Sequence, residues 1–413
     1  MKKLITALMI VLSVSIFSQN INGKLGTGGQ FIIRDTTSTY LTLPQNTGYL
    51  NLNRSLVLQN TTGSTIGILY KGTDRFIHNY QAPGTTGQNV FMGINSGNFT
   101  MNGTSIDASQ NTAVGNYTLS ALTTGSSNSA FGYNSLKGTT TGFNNSAFGF
   151  GSLQTNSTGS DNSAFGLLSL LINTTGSNNS SFGVSSLESN TTGSYNCAFG
   201  NSSLMSNTTG SSNTGIGDQC LSMKTTGSGN SAFGSGSLNS LTGGNFNTAI
   251  GNSSGSQLTS GNNNITIGYN SQVPSNTGSD QLRLGNSNIS YAGVQVAWTI
   301  TSDRNLKSNI LNSNLGLGFI SKLRPVSYTR KNDESGKTEY GLIAQEVEET
   351  LRQDGVDNSG MLTITDNGEY QLRYNDLIAP IIKAIQELKA ENDMLKERIE
   401  KLERNDVQMI NKK

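Results

Sequence analysis

The sequence predicts a mainly β protein with a C-terminal α+β domain. Ten 17-residue coils of a parallel β-roll, or solenoid, are followed by a small domain ending in a coiled coil. Three observations predict this. A glycine recurs every seventeen residues from Gly115 to Gly268. Charge is segregated: 36 of the Asp, Glu, Lys and Arg residues lie in 302–413, and only seven lie in 111–286. Near the C-terminus, Ile and Leu fall at heptad positions from Ile378 to Leu402.

The elements follow in chain order. Residues 1–19, MKKLITALMIVLSVSIFSQ, read as a secretory signal peptide. Lys2 and Lys3 precede an apolar run, Leu4 to Phe17, that is short for a bilayer span. The chain is therefore expected to be secreted or held on a bacterial cell surface, with no transmembrane segment in the mature chain. Residues 20–100 carry short β-type runs (GQFIIRD, YLTL, YLNLN, SLVLQN, IGILYKG) separated by turn residues, a β-rich N-terminal segment. TGQNVFMG, 86–93, reads as an imperfect first coil or cap.

Residues 101–286 form the repeat region. Four residues before each repeat glycine stands an asparagine, from Asn111 to Asn264. Leucines keep the same step from Leu119 to Leu238. A disordered low-complexity tract does not hold register in this way. In the unit NSAFGYNSLKGTTTGFN, NSAFG alternates as a strand, SL suggests a second short strand, and two glycine turns close the coil, the second with Gly at a position expected to need special dihedrals. Coils stacked at about 4.8 Å would place Asn over Asn as amide ladders and Phe over Phe as a thin core. One Ala, one Phe or Ile and one Leu per coil is little apolar surface to offset the ordering entropy. Several chains associating along the rod would correct that. The unit resembles the head repeats of trimeric autotransporter adhesins, over roughly 111–270. That resemblance implies a β-roll in a homotrimer.

In 287–301, Val294, Val296, Trp298 and Ile300 alternate with Gln295, Ala297 and Thr299, which predicts a connecting strand running into Ser302. Residues 302–413 then read as helical spacing at Leu315, Phe319, Ile320 and Leu323, a strand at RPVSYTRK, a helix at YGLIAQEVEETL and a hairpin turning at Asn367-Gly368. A parallel coiled coil over 377–404 closes the chain. Ile at a, Leu at d and Asn392 at an a position favour two strands by heptad preference alone.

SDRNLKSNI, LRPVSY, YGLIAQEVEE and YNDLIAPIIKAIQELKAEN resemble, in order, the endosialidase-type intramolecular chaperone of phage tail spikes and tail fibres. The match covers about 300–405. The resemblance implies a homotrimeric domain that helps the preceding β-fibre fold and then cuts itself off with a Ser–Lys dyad. The matching residues are Ser302 as nucleophile and Lys307 as its base, with Thr301–Ser302 as the scissile bond. Leu342 stands where many members have Phe. The resemblance also implies a surface glycan, or a host or cell-surface receptor, as the thing bound.

The chemistry has its own logic. A serine hydroxyl needs a base, and lysine can serve if its amine is neutral, through desolvation or a positive neighbour such as Arg304. Asp303, Gln345 and Glu346 are left without a role. His78 is the only histidine and Cys197 and Cys220 are the only cysteines, so a His-based triad, a zinc site and any metal or cofactor are not expected. The two cysteines occupy different repeat positions, which predicts two free thiols. A net charge of +1 argues against nucleic acid. The leading reading is a trimeric fibre or adhesin-like protein with one self-cleavage. The alternatives are a tail spike or fibre that binds or cleaves glycan, and a structural fibre with an inactive dyad. Against glycosidase activity, Asp161, Glu188, Asp218 and Asp280 are scattered, with no close carboxylate pair suggested.

Overall fold

The computed structural model describes residues 30–34, 39–44, 51–52, 56–223, 226–331 and 336–410. The signal-peptide segment lies outside them. The chain divides into two compact units, Met1–Gln59 and Asn60–Lys413. In the first, Gln30–Arg34, Thr39–Pro44 and Asn51–Leu52 form an antiparallel three-stranded sheet.

The second unit begins with an antiparallel entry. Leu69–Lys71 pairs with Asp74–His78, which pairs with Val90–Met92. From Val90–Met92 to Leu282–Leu284 the chain winds as a solenoid, each strand parallel to its predecessor. The whole sheet has fourteen strands in sequence order among the described residues. The 86–93 segment is a first coil, though its partner lies 22 residues on: Val90 pairs with Thr112. After that the register advances by seventeen, as in Ser146↔Ser163↔Ser180.

The coil interior is narrow. The middle residue of each three-residue strand points inward, so Ala130, Ala147, Ala164 and Ala198 are fully buried against Leu136, Leu153, Leu170 and Leu204 from the opposite wall. Between them runs a column of buried hydroxyls, among them Ser135, Ser152, Ser169 and Ser186. The asparagine ladder is complete. Asn162 Nδ2 donates to Asn145 Oδ1 (3.1 Å) and to the Gly176 carbonyl (2.9 Å), while its own Oδ1 accepts from Asn179. The Asn162 amide is thus fully paired, whereas Asn207 Oδ1, buried in the same rod, has no partner among the described residues.

Three expectations need correction. The SL segment is not a second strand. It lies in a turn, with Leu136, Leu153 and Leu170 at φ of 50°, 51° and 52°, a left-handed conformation imposed by the corner and held by burial. The phenylalanines are not the core. In Ser-Ala-Phe only one face can point inward, and in the seventeen-residue coils that position holds small residues, Ala in most and Ser181, Gly215 and Thr266 elsewhere. Phe131, Phe148, Phe165 and Phe182 stack on the outer face. The turn glycines such as Gly159 and Gly176 do not take unusual dihedrals. A side chain there would strike the carbonyl of the next coil's glycine.

A second amide ladder was not anticipated: Asn173 Nδ2 donates to Asn156 Oδ1 (2.8 Å), Asn190 to Asn173 (2.8 Å) and Asn207 to Asn190 (2.9 Å). The two cysteines are free, Cys197 on the outer face and Cys220 inside the serine column, where Ser203 Oγ lies 3.3 Å from its Sγ.

The C-terminal part packs differently. Helices α1 (Leu317–Ile320), α2 (Ala344–Gln353) and α3 (Ile378–Ile410) surround a core of Leu315, Phe319, Val347, Leu351, Met361 and Leu377. Glu387 of α3 accepts from the Leu317 N–H at 2.6 Å and so caps α1. Strands Val326–Tyr328 and Glu339–Gly341 form one hairpin, Leu362–Ile364 and Tyr370–Leu372 the other. The tip of the second hairpin meets the last coil of the solenoid. Asp366 N–H donates to the Pro274 carbonyl (2.8 Å), and Asn276 N–H donates to Asp366 Oδ2 (2.6 Å). Elsewhere the N–H at that repeat position donates to the next coil, as Thr259 does to Asn276. Asp366 supplies the acceptor that a further coil would have supplied.

Candidate functional site

The border between the two parts, 287–311, is built from residues that one chain leaves uncovered. The connecting strand expected over 287–301 does not form: the segment pairs with no strand among the described residues. A strand needs a neighbour for its N–H and C=O groups, and none is offered here. Its apolar side chains stand in water: Trp298 is 69% exposed, and Ile300, Leu306, Ile310 and Leu311 are exposed as well.

The site is a single tight turn after that segment. Asp303 accepts the Asn305 N–H on Oδ1 (2.8 Å) and caps the one-turn 3-10 helix Arg304–Leu306. Asp303 is therefore a capping residue. The turn ends at Lys307, whose backbone returns to an extended conformation while its N–H still donates to the Arg304 carbonyl. This reversal brings the Lys307 side chain back over the start of the turn. Lys307 Nζ donates to Ser302 Oγ at 2.7 Å. The five-residue spacing is thus sufficient for a nucleophile–base contact. The Thr301 carbonyl immediately precedes the serine, and Thr301, Ser302 and Lys307 are all exposed.

The remaining candidates stand elsewhere. Glu346 is engaged by Arg324 in a two-point contact. That partner holds its carboxyl below the usual carboxylate range. Gln345 is exposed on α2. Leu342 packs against the domain core, and its backbone N–H donates to Tyr374 Oη (2.9 Å). Asp161, Asp218 and Asp280 each accept from an asparagine one coil earlier: Asn144, Asn201 and Asn263. These carboxylates lie on separate coils and form no acid pair. Among the described residues no cluster of His, Cys, Asp and Glu could hold a metal ion, and no helix is long and apolar enough to cross a membrane.

What the arrangement lacks in one chain is shelter. As a donor to Ser302 Oγ, the lysine ammonium cannot take the hydroxyl proton. A lysine acts as a base only in its neutral form. The apolar side chains that could exclude water are present around the turn and face outward.

Residues 302–356 match the family model described as chaperone of endosialidase, and the match begins at Ser302 itself. It covers a minor part of the chain and speaks for that segment. No curated protein and no solved structure matches the chain.

Proposed function

We propose that this chain is an exported or surface-displayed fibre, assembled as a homotrimer, whose C-terminal domain drives assembly and then cleaves itself off between Thr301 and Ser302. A chaperone-of-endosialidase segment behind a β-solenoid fits a tail-fibre- or spike-like protein. The observation that carries the proposal is the 2.7 Å contact between Lys307 Nζ and Ser302 Oγ, placed where the uncharged rod meets the charged domain.

In this reading the lysine, once neutral, takes the Oγ proton. The oxygen attacks the Thr301 carbonyl carbon, and the C–N bond breaks as the proton passes to the departing Ser302 nitrogen. Thr301 is then an ester of Ser302, and water hydrolyses it to a Thr301 carboxylate and a free Ser302 N-terminus. The enzyme turns over once, on itself. No metal or cofactor takes part.

Assembly has its own support. Along α3, Ile385, Leu388, Leu395, Ile399 and Leu402 are exposed, a heptad seam that only parallel partner helices cover well. Heptad composition leans to two helices, and the rod's resemblance to trimeric heads supports three. Partner chains would also cover Trp298, Ile300, Leu306 and Leu311 and so desolvate Lys307, which makes cleavage follow assembly.

The test is a time course of purified full-length protein on a denaturing gel with mass spectrometry of the fragments. The expected small fragment starts at Ser302, and Ser302→Ala and Lys307→Ala leave the chain whole while it still assembles. A different new terminus, or an assembled wild-type chain that stays intact, overturns the dyad. The latter outcome would leave a structural fibre with an inactive dyad, the reading that the exposed dyad of a single chain favours.

A further inference from the structure

We infer that the outer face of the rod's parallel sheet, which carries the column from Phe131 to Leu284, is where copies of this chain pack against one another, the column lining their common axis. This rests on the homotrimer proposed above and names the face that carries it.

The occupant follows from the columns themselves. In a parallel assembly about an axis, a residue near the axis faces its own copies at the same height, so a charge there would meet like charges. The column just after the repeat glycine contains Asp218, and the turn columns contain Lys137, Glu188, Asp161 and Asp280. The two columns flanking the buried alanine begin at Thr112 and Val114 and end at Leu282 and Leu284. They carry no charge in any coil, and the second is apolar in all of them. Other uncharged columns, such as Thr141 to Thr209, are polar and lose nothing by facing water.

An isolated chain gains nothing from this face. Phe199 is 38% exposed and Ile250 is 44% exposed on what is otherwise a polar rod. The face is also regular. Phe165 lies in register with Phe148 and Phe182, so the column is straight and can lie along an identical one.

The rings argue against a glycan as the occupant. From Phe131 to Phe199 successive rings stack with centroids 4.5 to 4.8 Å apart and planes within 8°. Each ring's faces are taken by its neighbours, and only edges point outward. A sugar that stacks on an aromatic face finds none free, whereas a second row of ring edges and branched side chains can interdigitate. In sequence the column is followed by Val294, Val296, Trp298 and Ile300, which are exposed, as is the α3 seam.

The molecule carries a built-in reporter. Cys197 stands in the serine column of this face, while Cys220 is buried inside the coil. Reduced full-length protein is treated with a short bismaleimide and run on a denaturing gel, with its mass in solution measured by light scattering. Covalent dimers are expected from the wild type and from Cys220→Ser, and none from Cys197→Ser. Adding Ser163→Cys to Cys197→Ser should restore them, and adding Thr175→Cys, on the polar turn, should not. An assembled protein that cross-links through Thr175→Cys but through neither residue 197 nor residue 163 overturns the face and leaves the assembly standing. A single-chain mass overturns the assembly, and this inference with it.

Discussion

The rod and the C-terminal domain solve the same problem with opposite means. In the rod, contacts repeat. Each coil touches the next through the same amides, the same alanine and the same leucine, always seventeen residues on. In the domain nothing repeats, and α1, α2, α3 and two hairpins meet in one irregular core. All nine ion pairs found among the described residues lie between Lys322 and Arg404. The difference teaches where register comes from. A ladder of identical rungs is satisfied equally well after a slip of one coil, so the rod cannot choose its own alignment. The domain has one way to pack, and Asp366 fastens that unique structure to the last rung.

Four measurements would break or sharpen this contrast. The largest effect is expected from removing 287–413. The remaining rod should lose roughly tenfold or more of its soluble, β-rich yield, because near-identical coils then start out of phase. Circular dichroism and light scattering read this directly, and a truncated rod that folds cleanly would make the domain a clasp rather than a guide.

Next comes a rung of the ladder. Asn162→Leu strands the Asn179 N–H in a dry interior, while Asn145 Oδ1 and the Gly176 carbonyl each lose one of two donors and keep the Asn162 N–H and Asn173 Nδ2. At about 1–3 kcal/mol for the buried unpaired N–H and about 1 kcal/mol for each of the three other bonds lost, a loss of about 4–6 kcal/mol is expected in denaturant unfolding. An exposed ion-pair variant in the domain, Arg352→Ala, should cost about 0.5 kcal/mol or less.

A third test concerns the rod's entry. His78 is buried between Phe91 and Phe99, donates from Nε2 to the Ser96 carbonyl (2.8 Å), and has its pKa lowered from 6.5 to about 4, chiefly by burial. Above pH 6.5 both folded and unfolded imidazoles are neutral. As pH falls, the unfolded ring takes a proton first, so stability is lost between pH 6.5 and about 4 and levels off below that. The loss is about 3 kcal/mol at most. It should appear as faster amide exchange around Val90–Met92, and it should vanish in His78→Gln. Exchange unchanged down to pH 4 would contradict it.

Apart from the exposed ion-pair control, the smallest effect is expected at the join. Asp366→Ala removes the acceptor for Asn276 N–H, at a cost of about 1 kcal/mol. Exchange at Asn276 should quicken while the domain core stays protected. If Asn276 does not change, Asp366 is not the fastening.

Much of this was legible in the sequence because a fixed period is a geometric statement: seventeen residues per coil put Asn128 under Asn145 whatever the coil's shape. The shape was less legible. Ser-Ala-Phe alternates whichever way it faces, and the larger residue was assigned to the core. Only the coil's width, which no single repeat reveals, decides for Ala147 over Phe148. The leucine corner was read as a strand because two residues cannot distinguish extended from left-handed backbone. The Asn156–Asn207 ladder keeps the same period, and its spacing alone would have disclosed it. At the border, the serine and lysine were legible from their surroundings. The cap role of Asp303 was not, since an aspartate before a short turn looks the same in a sequence whether it caps or catalyses.

The seventeen-residue step also bears on how such a gene can change. An in-frame duplication or loss of one repeat leaves every hydrogen-bonded rung with a partner of its own kind, and it lengthens or shortens the rod by about 4.8 Å. Entry strands and border stay as they were. Rod length is thus a trait that recombination between neighbouring repeats can tune in whole steps, without inventing any new packing.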